Sequence, residues 1–121
     1  GHEVAVFGDG NQTRGFTYLD DIAAGTVLAL KPLGYEIINL GGHESISIND
    51  LIRKFEIVIG KKANVKYYPQ NAADMSASWA DTRKAHELLG WKPQTSLDEG
   101  IRNVVAWYQQ ESSWASQVST E

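Results

Sequence analysis

A chain of 121 residues, 42% hydrophobic and 21% charged, has the size and balance of one globular domain with a modest core. Its formal net charge of -4 leaves no basic excess for a dominant cationic face, which excludes a general nucleic-acid binder. The absence of cysteine removes disulfide and thiolate chemistry. No apolar run approaches the roughly 18 residues of a membrane span, and no signal-peptide pattern is present, so the expectation is a cytoplasmic protein without a membrane partner.

Glu3 to Phe7 alternates valine with small or polar residues and predicts a short strand, ended by Gly8-Asp9-Gly10-Asn11. Such a turn lets the chain reverse sharply before Arg14, because glycine, aspartate and asparagine accept left-handed backbone. Arg14 there offers a planar fork of donors to a phosphate or carboxylate; residue pattern alone favours a pair with Asp20 or Asp21. Gly15 to Leu19 predicts a second strand. From Asp20 the period changes, and Ile22, Ala23, Thr26, Val27 and Leu30 fall on one helical stripe closed by Pro32 and Gly34. Asp20 and Asp21 at its head suit the positive end of the helix dipole, so capping is their expected role.

Tyr35 to Leu40 predicts a buried strand ended by Gly41-Gly42. Ser47-Ile48-Asn49-Asp50 is a capping box with aspartate in place of glutamate. The helix it opens carries Ile48, Leu51, Ile52, Phe55, Val58 and Ile59 on one face and stops at Gly60. Asn64 to Tyr68 is a further strand, and Gln70 to Ala80 is an irregular loop of small residues, the kind that often carries binding groups. Asp81 caps a short helix with Ala85, Leu88 and Leu89 inward; Gly90 ends it, and Trp91 packs its indole on the core. Ser96 to Glu99 is a full capping box for a last helix with Leu97, Ile101, Val104, Val105 and Tyr108 inward. The apolar period fades after Gln110, giving a domain over residues 1–111 and a disordered tail over 112–121. Alternating strands and helices predict a small α/β domain with a few short, largely parallel strands and about four helices.

Several motifs fail on their chemistry. Gly8 to Thr13 begins like a dinucleotide fingerprint, but threonine holds the third glycine position and a strand follows. His2-Glu3, His43-Glu44 and His86-Glu87 lack the second histidine of a zinc helix, replaced by Val6, Ser47 and Gly90. Arg14 stands where a calcium loop beginning at Asp9 needs glycine. No metal site and no catalytic residue is assigned. Lys61-Lys62 reads as a solvated helix exit, and the four tryptophans mainly as packing.

Taken in order, Val6 to Ile22, Glu36 to Leu51, Asp74 to Ala85, Leu88 to Pro93 and Ser96 to Tyr108 resemble one family. The first is similar to the GDGxQTRDFxYVDD segment of NAD-dependent nucleotide-sugar epimerases and dehydratases, the extended short-chain dehydrogenase/reductase family. The others resemble its ExYNIGGG strand with the helix after it, its GDVxxTxADxxKA stretch, its LLGWxP corner and its terminal helix. The resemblance runs from about Glu3 to Gln110 and implies the substrate-binding C-terminal portion of such an enzyme. NAD and the catalytic Tyr-x-x-x-Lys pair belong to the family's N-terminal Rossmann domain, and no tyrosine here has lysine four residues on.

The implied function is a share in a UDP-sugar 4-epimerase similar to UDP-glucose 4-epimerase. In the family, hydride passes from sugar C4 to NAD and returns to the opposite face after the 4-keto intermediate rotates. By itself the chain is expected to be an inactive monomer without NAD; the full-length enzyme is expected to be a homodimer. A dehydratase, decarboxylase or reductase of the same family stays open, as does a stand-alone, non-catalytic nucleotide-sugar binding module.

Residue by residue, the resemblance places Arg14 on the nucleotide diphosphate and the Val6 and Phe7 backbone beside the base, usually uracil. Asp74 is a further substrate-binding position. Asn71 stands where many relatives carry a second phosphate-binding arginine, which leaves Lys66 or a residue of the Rossmann half to compensate. Relatives acting on uronic acids often carry glutamine there, so that substrate class stays open. Gly15 and Ala73 replace the family's aspartate and glycine. Ser78 matches a position whose size gates bulk at sugar carbon 2, and serine leaves room for an N-acetyl group.

Overall fold

The computed structural model describes residues 2–42, 44–70 and 74–118, and in them two small sheets are covered by four helices. Strands β1 (Glu3–Phe7) and β4 (Asn64–Tyr68) run parallel in step, Glu3 opposite Asn64 through to Phe7 opposite Tyr68. A parallel pair needs a long crossover, and everything between the two strands serves as that connection. In the second sheet β2 (Thr13–Phe16) lies between antiparallel β3 (Glu44–Ser47) and parallel β5 (Ala77–Ser78). The α/β class and the helix number are as the sequence predicts, and two of the three strand pairings are parallel. Strand β3 had no sequence signal of its own, because its four residues merge into the capping box of the next helix.

Helix α2 (Ile48–Ile59) starts where that box predicts: the Ser47 hydroxyl accepts from the Asp50 amide at 3.0 Å. Helix α4 (Leu97–Ala115) starts on Ser96, whose hydroxyl accepts from the Glu99 amide at 3.3 Å. It runs past Gln110 to Ala115, four residues into the span expected to be tail, where Trp107 and Trp114 meet edge to face at 5.8 Å. Gly100, Ile101 and Val105 are its buried residues, whereas Val104 and Tyr108, expected inward, are exposed. Helix α3 (Arg83–Leu89) follows Asp81, whose carboxylate accepts from the Arg83 amide at 3.1 Å.

Two apolar signals do not lead to burial. The segment predicted as a strand at Tyr35 to Leu40 is irregular, with Tyr35 90% and Ile37 70% exposed. A strand exists only beside another edge, and no described strand lies next to this one. Helix α1 (Leu19–Leu28) likewise turns Ala23, Thr26, Val27 and Leu30 of the predicted stripe outward and buries Asp21 and Gly25 instead. Gly25 decides the orientation: a Cβ there would stand 2.8 Å from both Leu40 Cδ1 and Trp91 Nε1, so only glycine lets these groups reach the helix.

Asp21 is therefore no cap. Tyr18 holds that position without a side-chain bond, while the Asp21 carboxylate, 7% exposed, accepts from the amides of Gln94 and Thr95 at 3.0 Å each. Its own carbonyl accepts from Trp91 Nε1 at 2.8 Å, and Trp91 joins Val6, Ala85, Ile101 and Val105 in the core, as its sequence setting predicts. One residue thus ties α1 to the corner before α4. Asp21→Ala orphans two amides and should lower urea-unfolding stability by about 2–4 kcal/mol, while exposed Asp20→Ala should cost under about 1 kcal/mol; equal costs would contradict this assignment.

Candidate functional site

The turn between β1 and β2 is built around one side chain from α2. Gly10 has φ +76°, and a Cβ on it would overlap the carboxamide of Asn49. That carboxamide fills the turn: Nδ2 donates to the Asp9 carbonyl at 2.9 Å, and Oδ1 accepts from the Tyr67 hydroxyl at 2.9 Å. Gln12 Nε2 closes the other side by donating to the Phe7 carbonyl at 2.7 Å, and the Asn49 amide donates to the Gly10 carbonyl at 3.0 Å. Asn49, Gln12 and Tyr67 carried no functional signal in the sequence. Gly10 hinted at a close approach, but its partner lies 39 positions on.

So held, the chain enters β2 with Arg14 on the central strand. One N–H of its guanidinium donates to the Thr13 carbonyl at 2.8 Å and another to Asp74 Oδ1 at 2.5 Å, the two side chains 26% and 28% exposed. The acidic partner is thus Asp74 rather than Asp20 or Asp21. Ser78 pairs with Arg14 in parallel register, and the Thr13 amide donates to the Ser76 carbonyl at 2.9 Å. Paired residues of neighbouring strands share a face, so Arg14 and Ser78 lie on one face, with Asp74 at its margin.

The other predicted positions divide. Val6 is buried, 3% exposed, while Phe7 is exposed and stacks at 5.7 Å on Tyr68. Asn71 lies outside the described residues. Lys66 does not stand beside Arg14: it lies 3.7 Å from Glu3 Oε2 and over the Tyr68 ring. An apolar cavity of about 190 Å³ between Phe16, Tyr18, Leu51, Phe55, Ile101 and Val104 does not include Arg14, whereas a more polar one is lined by Gly42, Ser45, Trp79, Ala80 and Thr82, next in sequence to Ser78. The groups around Arg14 form an open half-site: one anchored guanidinium, one carboxylate and a small hydroxyl.

The same turn tests the fit of a dinucleotide. A pyrophosphate is held where a glycine turn runs into a helix N-terminus. Here the turn runs into β2 and is filled by Asn49, so it does not fit NAD. Among the described residues no group of three histidines and carboxylates could hold a metal ion, and no helix is long and apolar enough to cross a membrane.

The family model described as GDP-mannose 4,6 dehydratase matches residues 1–104. A UDP-glucuronate 4-epimerase of Thermodesulfobacterium geofontis is 53% identical over 105 residues, which are 86% of this chain and 32% of that protein. The crystal structure of a Bacillus cereus UDP-glucuronic acid 4-epimerase mutant, complexed with UDP-4-deoxy-4-fluoro-glucuronic acid and NAD, superposes with a TM-score of 0.81. It is 39% identical, over 90% of this chain and 36% of that one. UDP-glucuronic acid decarboxylase 1 of Danio rerio is 29% identical over 111 residues, 92% of this chain and 27% of that protein. The alternating architecture is shared with these nucleotide-sugar enzymes. The chain belongs to the GDP-mannose 4,6 dehydratase family, within the NAD-dependent extended short-chain dehydrogenases/reductases, and it spans about a third of the length of these epimerase relatives.

Two predictions concern the turn. Gly10→Ala should destabilise by about 2–4 kcal/mol through positive φ and overlap, and by clearly less when Asn49→Ala has removed the overlapping group; simple additivity in urea unfolding would contradict the clasp. The Asp9 carboxylate accepts from the Asn11 amide and side chain, both at 2.9 Å, and the amide above all holds its pKa below the ordinary aspartate value. A depressed pKa means that this contribution is complete above the ordinary value and is lost as pH falls through the folded one. Carbon-detected NMR titration should show Asp9 titrating low, and Asn11→Ala, which removes the side-chain bond but keeps the amide, should move it upward only in part.

Proposed function

We propose that this chain is the sugar-nucleotide-binding portion of an NAD-dependent UDP-sugar 4-epimerase and that its substrate is UDP-glucuronate. The observation that carries the reading is the 53% identity to a UDP-glucuronate 4-epimerase over 86% of this chain. The anchored Arg14 supports it, because a guanidinium fixed on a strand presents its remaining N–H groups to a diphosphate without further ordering. Phe7 and the Val6 backbone border the base, Ser78 the sugar, and Asn71 the second phosphate. Chemistry at sugar C4 belongs to NAD and to the Rossmann portion; this chain contributes position, which accelerates a reaction by holding the reacting carbon in place. The chain alone is then a binder and not a catalyst.

Magnitudes set how well it binds alone. Unit charges about 5 Å apart interact by about 3 kcal/mol at an effective dielectric near 20. Asp74 beside Arg14 therefore cancels much of the attraction for a diphosphate, and the isolated chain holds UDP-glucuronate at roughly millimolar dissociation constant, about −4 kcal/mol. The decarboxylase reading keeps a place because a UDP-glucuronic acid decarboxylase is also similar over most of the chain. It shares the substrate and differs in product, since only decarboxylation releases carbon dioxide.

Calorimetric titration with UDP-glucuronate should show saturable weak binding that Arg14→Ala reduces at least tenfold, the loss of a charge-assisted contact worth about 1.5–3 kcal/mol. No binding by a folded wild-type chain, or equal binding by the variant, contradicts the proposal. Ser78→Tyr should weaken a UDP-N-acetylhexosamine more than the corresponding UDP-hexose; equal loss removes Ser78 from the sugar site.

A further inference from the structure

The last turns of α4 carry a group of side chains that the nucleotide reading does not use. Trp107, Glu111 and Trp114 follow at i, i+4 and i+7, so they share one face of the helix. All three lie past residue 104, where the match to the family model ends. Seven helical residues rise about 10.5 Å, yet the two indole centroids are only 5.8 Å apart. Side chains on a helix lean toward its N-terminus, and Trp114 is held in that lean because its Nε1 donates to Glu111 Oε2 at 2.5 Å. The rings meet at 83° and form the two walls of a corner with a carboxylate beside it. Neither wall is packed away: Trp107 is 48% and Trp114 50% exposed, against 3% for Trp91 in the core. Among the described residues a lysine covers the Tyr68 ring, and no lysine or arginine covers either indole.

We propose that this corner binds a quaternary ammonium group carried by a small cationic molecule. The face of an indole attracts a cation lying within about 6 Å of the ring centre. Two such faces set nearly at a right angle can be met at once by a compact, nearly spherical ion. Glu111 adds a full negative charge on the same side, and the chain's net charge of -4 favours a cation over an anion. The hydrogen-bond inventory selects the kind of cation. A primary ammonium brings three N–H donors, and stripping water from them is costly unless acceptors take its place. The corner offers ring carbon, an indole N–H already donated to Glu111, and the oxygens of that one carboxylate. A fully alkylated nitrogen has no N–H to satisfy, and its methyl groups pack on both indoles. The proposal does not rest on the nucleotide reading.

The test is a titration of the whole chain at fixed ionic strength, followed through the indole N–H signals by proton–nitrogen NMR. Choline chloride should give saturable shifts at Trp107 and Trp114, with a dissociation constant on the order of millimolar, while Trp79 and Trp91 stay still. The uncharged carbon analogue of choline, with a tert-butyl group in place of the trimethylammonium, should bind at least about threefold more weakly, and methylammonium should also bind more weakly than choline. Trp107→Leu and Glu111→Gln should each weaken choline binding about threefold or more. Glu111→Gln keeps the size of the side chain and carries the test if Trp107→Leu unwinds the end of α4. Equal binding of the uncharged analogue would make the corner a plain apolar patch, and tighter methylammonium binding would make it a carboxylate site for primary amines. Shifts that never saturate, or that fall on Trp79 instead, would leave no site on α4. Each of these results overturns the proposal, and none of them touches UDP-glucuronate binding through Arg14, which Trp107→Leu should leave unchanged.

Discussion

The clasp of Asn49 inside the turn at Gly8 to Gln12 is the constraint on which the rest of the site depends. Its carboxamide joins the turn between β1 and β2 to the first turn of α2 and to Tyr67 of β4, and its amide adds a bond to the Gly10 carbonyl. Each bond is modest in net terms, about 1 kcal/mol. Their effect is mainly geometric: the turn can close in only one way, and β2 then leaves it with Arg14 at a fixed height. An arginine on a flexible loop would lose up to about 2 kcal/mol of rotamer freedom on meeting an anion, and here much of that ordering is complete before a ligand arrives.

Asp74 gives the same guanidinium a second property. The ion pair keeps Arg14 extended along the sheet face it shares with Ser78, and it also makes the half-site nearly neutral. A neutral half-site is a poor trap for small anions and becomes effective only when a second set of contacts holds the rest of the ligand. That agrees with the proposed role of positioning a substrate within a larger enzyme.

Much of this was legible in the residues. The capping boxes at Ser47 and Ser96 start their helices as written, because a cap is decided by residues three apart. Strand β1, strand β4 and Trp91 in the core follow from alternation and from a large indole next to a proline corner. Asp21 was misread because a carboxylate at a helix head has two uses, and the choice depends on Gln94 and Thr95, more than 70 positions away. The stripe of α1 and the strand at Tyr35 to Leu40 were read correctly as apolar and wrongly as covered. Periodicity reports that a face is to be buried but not by what. Strand β3 and the partner of Arg14 likewise depend on long-range pairing that no local pattern encodes.

The most direct measurement of the central claim is an amide and arginine side-chain NMR map of the isolated chain during titration with UDP-glucuronate. The account predicts that the largest shifts fall on Arg14 Nε, on the end of β1 at Phe7, and on the stretch from Asp74 to Ser78, with the turn around Asn49 unmoved. Shifts concentrated at the apolar cavity between α2 and α4, or an Arg14 side chain that does not respond at saturation, would contradict it.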